Sequence, residues 1–249
     1  MLPTLEGIIA RRVLLNFRAD PRVVRPLVPE QLDVITQNGF GVVGVCLIRL
    51  EQLRPKGFPA FLGVSSEGMA HRVAVRYPTA DGWRDGVFVW RRETDRRPIA
   101  LVGGRVFPGA HRHAEFLVAE DEGRLAMAVF TERRKADVSF DARFPADWLR
   151  PSLFDSVEEA SQFFERGDCG FSCSPRTGEL EGMQLRTSGW NVVPLRIRQV
   201  SSAFFENPDR FPPGSIEFDC ALLMRRVASE WHPLDRVPDL AGALKETRP

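Results

Sequence analysis

Lysine is nearly missing from this 249-residue chain. Only Lys56, Lys135 and Lys245 occur, so 31 of the 34 basic residues are arginine. Chemistry that needs a primary amine must choose among three side chains. Tyr77 is the single tyrosine beside 18 Phe and 5 Trp, so the aromatic content packs well but offers one phenol for acid–base work. No run of about 18 apolar residues exists, which excludes a membrane-spanning helix. The start, Met1-Leu2-Pro3-Thr4-Leu5-Glu6, has no early positive charge and no apolar stretch, so no signal peptide is expected there. A formal charge of +1 leaves no dedicated basic face for nucleic acid. Serine-hydrolase elbows of the G-x-S-x-G type, phosphate loops with a following Lys and paired-metal carboxylate clusters are all missing. The expectation is a soluble cytoplasmic protein with no membrane partner, no nucleic-acid partner and no bound cofactor.

Cysteine is sparse as well. Cys46 and Cys220 lie in apolar runs and read as core residues. Cys169 and Cys173 are spaced C-x3-C but lack two further ligands at finger-like spacing, so they read as two free thiols in a turn rather than a zinc site.

What is present is mostly strand-like. Residues 8–18, 39–50, 61–78 and 86–92 carry β-branched or alternating patterns, and Asp81-Gly82 marks a hairpin turn between the last two. Asp20-Pro21 opens a short helix that stops before Val28-Pro29. Residues 98–106 read as a second short helix. Strands follow at 111–119, 123–132 and 135–141. Ser156 with Glu159 forms a capping box for a helix over 156–166, ended by Gly167. Strands return at 183–190, 192–204 and 216–227. No βαβ alternation, internal repeat or linker is visible. The pattern predicts a mainly β, single-domain, mostly antiparallel barrel over residues 1–232 with short peripheral helices, then a polar tail over 233–249. The mouth or interior of such a barrel is the default ligand site.

Within it, the segment Gly109-Ala110-His111-Arg112-His113-Ala114-Glu115 gathers two of the four histidines. On a strand, His111, His113 and Glu115 would share one face and could bind a metal or move protons; a solvated edge is the alternative. The cupin arrangement is not met, because Glu115 comes too early and no His follows near Pro212-Pro213-Gly214.

The order and spacing of several short motifs resemble the DUF2071 branch of the acetoacetate-decarboxylase-like superfamily. They are Leu14-Leu15-Asn16-Phe17-Arg18-Ala19-Asp20-Pro21, Val24-x-x-Leu27-Val28-Pro29-Glu30-Gln31-Leu32, Glu67, Arg76-Tyr77, Asp81-Gly82-x-x-x-Gly86-Val87-Phe88 and Arg105-Val106-Phe107. Gly189-Trp190-x-x-x-Pro194-Leu195 and Phe218-Asp219-x-Ala221-Leu222-Leu223-Met224 complete the set. The resemblance spans roughly residues 8–232. It implies a cone-like antiparallel barrel with an internal cavity. In acetoacetate decarboxylases a segment of the form F-G-x-P-K-K-x-A supplies two adjacent lysines, one of which forms a Schiff base with the substrate ketone. Here the matching stretch, Phe107 to Ala114, holds neither. The resemblance therefore implies a relative without Schiff-base decarboxylation. It also implies cavity roles for Glu67, for Arg105 and for Arg11 or Arg12, with Arg76 as a further ligand-binding candidate.

The leading expectation is a barrel that binds a small organic acid or carbonyl compound. If it is an enzyme, His111 or His113 with Glu67 would do acid–base work on a ligand held by Arg105. Two other readings stand beside it. One is a metal-dependent barrel enzyme using His111 and His113. The other is a non-catalytic protein whose exposed Phe residues form an interface, with homo-oligomerisation open.

Overall fold

The computed structural model describes residues 3–98, 107–131, 135–149 and 151–234. Its order is β1 (Leu5–Ala19), α1 (Pro21–Val24), β2 (Asp33–Val34), β3 (Thr36–Gln37), β4 (Phe40–Pro55), β5 (Val64–Thr79), β6 (Gly82–Thr94), β7 (His111–His113), β8 (Glu115–Glu120), β9 (Arg124–Phe130) and β10 (Val138–Arg143). Then come α2 (Val157–Arg166), β11 (Cys169–Cys173), β12 (Leu180–Thr187), β13 (Val193–Pro194), β14 (Arg196–Ser202) and β15 (Ile216–Pro233). Among the described residues no helix is long and apolar enough to cross a membrane.

Eleven strands form one sheet, and β8, β9, β10 and β14 form a second. In the large sheet the pairings run β5–β4–β1–β15–β12–β11–β6 and return from β6 to β5, a barrel-like circuit. Its pairs are antiparallel except β6 with β11; β7 also adds to β6 in parallel.

The central strands are buried on both faces, which is why they read as near-continuous apolar runs. Val13 and Leu15 of β1, Val43 and Val45 of β4, and Val73 and Val75 of β5 pack toward the small sheet, against Leu125, Met127 and Phe140. The intervening Leu14, Cys46 and Ala74 enter a second core on the opposite face, closed by Phe163 and Phe164 of α2. The two-residue period of a strand makes this division. Small features follow the sequence closely. Asp20 Oδ1 accepts the Arg22 backbone N–H at 2.8 Å to start α1. Ser156 Oγ accepts the Glu159 N–H at 3.2 Å, while the Glu159 carboxylate reaches the Asp155 N–H at 2.6 Å.

Two expectations need correction. Cys169 and Cys173 bound a strand, not a turn: Cys169 and Phe171 are buried and Cys173 is exposed, and β11 docks in parallel on Gly86–Phe88. The strands expected over 111–119 and over 192–204 are each two strands in different sheets, divided at the buried Ala114 and the buried Leu195. The helix expected over 98–106 falls almost wholly outside the described residues, as does the tail beyond residue 234.

Candidate ligand cavity

A cavity of about 190 Å³ lies on the α2 side of the large sheet, and every strand of the circuit contributes to its lining. At about 30 Å³ per water in the liquid, it has room for about six waters or a small organic molecule. Its walls are largely apolar, with Ile48, Leu50, Phe107, Met183, Trp190 and Trp231. Three arginines interrupt them.

Arg12 reaches the cavity from β1, Arg72 from β5 and Arg92 from β6. The registers place them around one small-residue patch. Cys46 of β4 lies opposite Ala70 of β5, which lies opposite Arg92 of β6. Arg12 is opposite Ile48, and Arg72 is opposite Gly44, to either side of that row. Arg12 Nε donates to Cys46 Sγ at 3.4 Å, and its guanidinium stacks 5.4 Å from the Trp190 ring centre. Arg72 donates to Asn16 Oδ1 at 2.8 Å and lies 4.9 Å from the Phe164 ring centre. Arg92 Nε donates to the Pro108 carbonyl at 3.0 Å. Burial pushes Arg72 and Arg92 down to about 10, so both remain cations at neutral pH.

The two buried carboxylates of the cavity are each held by arginine, although Glu93 Oε2 has no hydrogen-bond partner. Glu67 accepts two bonds from Arg11, at 2.8 and 2.9 Å, and a third from Arg49 at 3.2 Å. Burial still raises its pKa against the pull of those two cations. Glu93 is held by Arg91, and burial raises it to about 6. Asp168 accepts from Gln184 at 2.7 Å, and Glu165 is exposed. Neither Arg11, Arg49 nor Arg91 lines the cavity.

His111 lines it beside Phe107. Its Nδ1 lies 3.2 Å from the Gly109 carbonyl, an acceptor only, so Nδ1 carries the proton and Nε2 is the free acceptor. Burial lowers its pKa to about 4. Gly109 makes this turn at φ +85°, and a Cβ there would fall 2.6 Å from Ser172 Cβ.

The sequence candidates thus separate. Glu67, Arg12 and His111 line one cavity; Arg11 braces it from behind through Glu67. His113 is exposed and Arg76 lies exposed on the β5 segment paired with β2, neither of them at the cavity. Arg105 is outside the described residues. Among the described residues no group of three or more His, Cys, Asp and Glu is placed to hold a metal ion. Arg72 and Arg92 were not singled out from the sequence. Their signal was an arginine set inside a strand whose neighbours are buried on both faces.

Known folds agree with this architecture. Acetoacetate decarboxylase from Legionella pneumophila is similar over 95% of this chain and 87% of its own, with a TM-score of 0.64 at 14% identity. The enduracididine biosynthesis enzyme MppR, in complex with pyruvate, matches over 96% and 92% with a TM-score of 0.61 at 10% identity. An acetoacetate decarboxylase-like enzyme from Sphingomonas wittichii RW1 matches over 93% and 92% with a TM-score of 0.56 at 16% identity. These likenesses show a shared fold. No curated protein matches the sequence. The model of DUF2071, described as "Uncharacterized conserved protein", matches residues 9–169, more than half of the sequence, and the chain belongs to that family.

Proposed function

We propose that this protein binds a small organic acid or carbonyl compound in the barrel cavity, without Schiff-base chemistry. The observation that carries the reading is the cavity's polar inventory: three arginines without a carboxylate partner and no lysine among the described lining residues. Arginine's planar fork suits a carboxylate, and it cannot supply the neutral amine that an iminium needs. Lys56 is exposed and paired with Glu230 at 2.9 Å, and Lys135 is exposed. Arg12 is the primary anchor. Its Nη1 is buried without a hydrogen-bond partner, a cost that a bound carboxylate would remove. For any proton transfer from the ligand, the lining group able to accept it is His111 Nε2.

The likeness to an enzyme complexed with pyruvate supports a ligand of this size and class. Isothermal titration calorimetry with short carboxylates tests it. Saturable binding is expected, with Arg12→Gln weakening it roughly tenfold or more, as for loss of a charge-assisted hydrogen bond. Absence of binding across the panel at millimolar ligand would sink the proposal.

A second reading, protein association, is favoured by one feature. The β4–β5 connection and the first residue of β5 expose Phe58, Phe61, Leu62 and Val64, with Phe61 84% exposed. Light scattering on the wild type and Phe61→Ser compares their masses, and a dimer lost in the variant would support it.

A further inference from the structure

We infer that the cavity's ligand carries two acidic groups, one held by Arg12 with Arg72 and the other by Arg92: a short dicarboxylate rather than a monocarboxylate. This rests on the organic-acid reading above and narrows it.

Charge accounting leads there. Glu67 and Glu93, the two buried carboxylates of the lining, are each held by arginines that stand outside it. That leaves Arg12, Arg72 and Arg92 facing one enclosure with no carboxylate bonded to any of them among the described residues. His111 adds no charge at neutral pH, since burial keeps it neutral. Three cations over an apolar-walled cavity are costly unless an anion joins them. Of the other lining carboxylates, Asp168 is turned to Gln184 and Glu165 is exposed, so neither is bonded to the three arginines.

The hydrogen-bond inventory points the same way. Arg12 Nη1 and Arg72 Nε are both buried without a partner, and Arg72 is 3% exposed. Such donors are uncommon and call for a ligand or ordered water. After burial, the charge of nearby Arg12 is a further cause that lowers the pKa of Arg72. One shared carboxylate would relieve both. Arg92 stands across the cavity from Arg12: Arg12 is on β1 and Arg92 on β6, with β4 and β5 between them, so their backbones are three strand spacings apart, about 14 Å. Long side chains shorten that gap, but a single carboxylate does not fill it. The floor between them is kept low by Cys46 and Ala70, leaving room for a short carbon chain. The aromatic and aliphatic walls suit its methylenes.

Calorimetry on the full chain at fixed ionic strength decides it. Dicarboxylates from oxalate to adipate are each titrated against the monocarboxylate of equal length. At least one dicarboxylate should bind about tenfold tighter or more than its partner, the effect of one added charge-assisted contact. Arg92→Gln should shrink that preference to about threefold or less, because the dicarboxylate loses a contact that the monocarboxylate does not make in full. Equal affinities within every pair would overturn the dicarboxylate inference and leave the organic-acid reading standing. No binding by either series would overturn both. A preference that persists in a folded Arg92→Gln protein would overturn the role of Arg92. The wild-type comparison needs no variant, so a folding failure leaves the main test intact.

Discussion

Arg11 and Arg12 are neighbours in the chain and serve opposite sides of β1. Arg11 is 5% exposed and tied to both oxygens of Glu67 and, at 2.8 Å, to Glu120. Arg12 lines the cavity and leaves one nitrogen unpartnered. Their substitutions should therefore separate stability from binding. Arg11→Gln leaves Glu67 buried with only Arg49, and a broken buried pair costs about 3 kcal/mol. Arg12→Gln removes an uncompensated cation and should leave stability unchanged or improved, while weakening carboxylate binding. Urea unfolding of both variants checks the contrast. Equal destabilisation by the two would contradict it.

That division could not be read from the sequence, and the reason is local. A register shift between Ile9 and Arg11 interrupts the β1–β4 pairing, so simple alternation from the strand's start misassigns the faces. Features set by nearest neighbours were legible: the Asp20-Pro21 helix start, the Ser156 cap and the hairpin at Asp81-Gly82. The family's motif order indicated the fold. What stayed hidden depends on convergence of distant strands. Arg72 and Arg92 reach the same cavity as Arg12 only because β4, β5 and β6 pair in one register. His111 and His113 look equivalent on paper, yet β7 is three residues long and only His111 is tucked behind Phe107. The C-x3-C segment is only five residues long, so it carries little apolar pattern, although β11 pairs over all five with β12 and over three with β6.

Two of the cavity's perturbed groups, His111 and Glu93, should give the protein an unusual acid profile. His111 has its pKa lowered by burial from 6.5 to about 4. Between those values the unfolded chain binds a proton that the folded chain refuses, so stability falls as pH drops from 6.5 toward 4. Glu93 has the opposite sign. Burial raises it from 4.5 to about 6, so the folded chain keeps a proton longer, and its contribution falls as pH rises from 4.5 to 6. The two partly cancel in the wild type. His111→Gln should make the protein relatively more stable at pH 5 than at pH 7, and Glu93→Gln should steepen its loss in acid. Melting temperatures across pH 4 to 7 read both; parallel curves for all three proteins would refute the assignment.

Gly44 should be intolerant of even one added carbon. It lies on β4 opposite Asn16, and a Cβ there would sit 2.5 Å from the Leu15 carbonyl oxygen and 3.2 Å from Asn16 Oδ1. The first contact is with backbone in the middle of a paired strand, so β1 and β4 must move apart. Asn16 Oδ1 is also the acceptor that holds Arg72. Gly44→Ala is expected to cost about 2 kcal/mol or more, within the range for core overpacking, and to loosen Arg72. A folded variant with native stability and native carboxylate affinity would show that this contact is relieved without consequence.

The last prediction concerns covalent chemistry. Schiff-base formation needs an unprotonated primary amine within reach of the bound carbonyl, in surroundings that lower its pKa. The described cavity lining offers guanidinium groups and one imidazole, and neither forms an iminium. Lys56 and Lys135 are exposed, and Lys245 lies outside the described residues. Incubation with pyruvate or acetoacetate followed by borohydride should therefore leave the intact mass unchanged, even where calorimetry shows the same compound binding. Carbon dioxide release from acetoacetate should match the buffer rate. A stoichiometric adduct on Lys245 would place that residue in the cavity and restore amine catalysis. Adducts scattered below one per chain over Lys56 and Lys135 would mark only surface reaction, because those amines lack the desolvated, cation-lined setting that lowers a lysine's pKa.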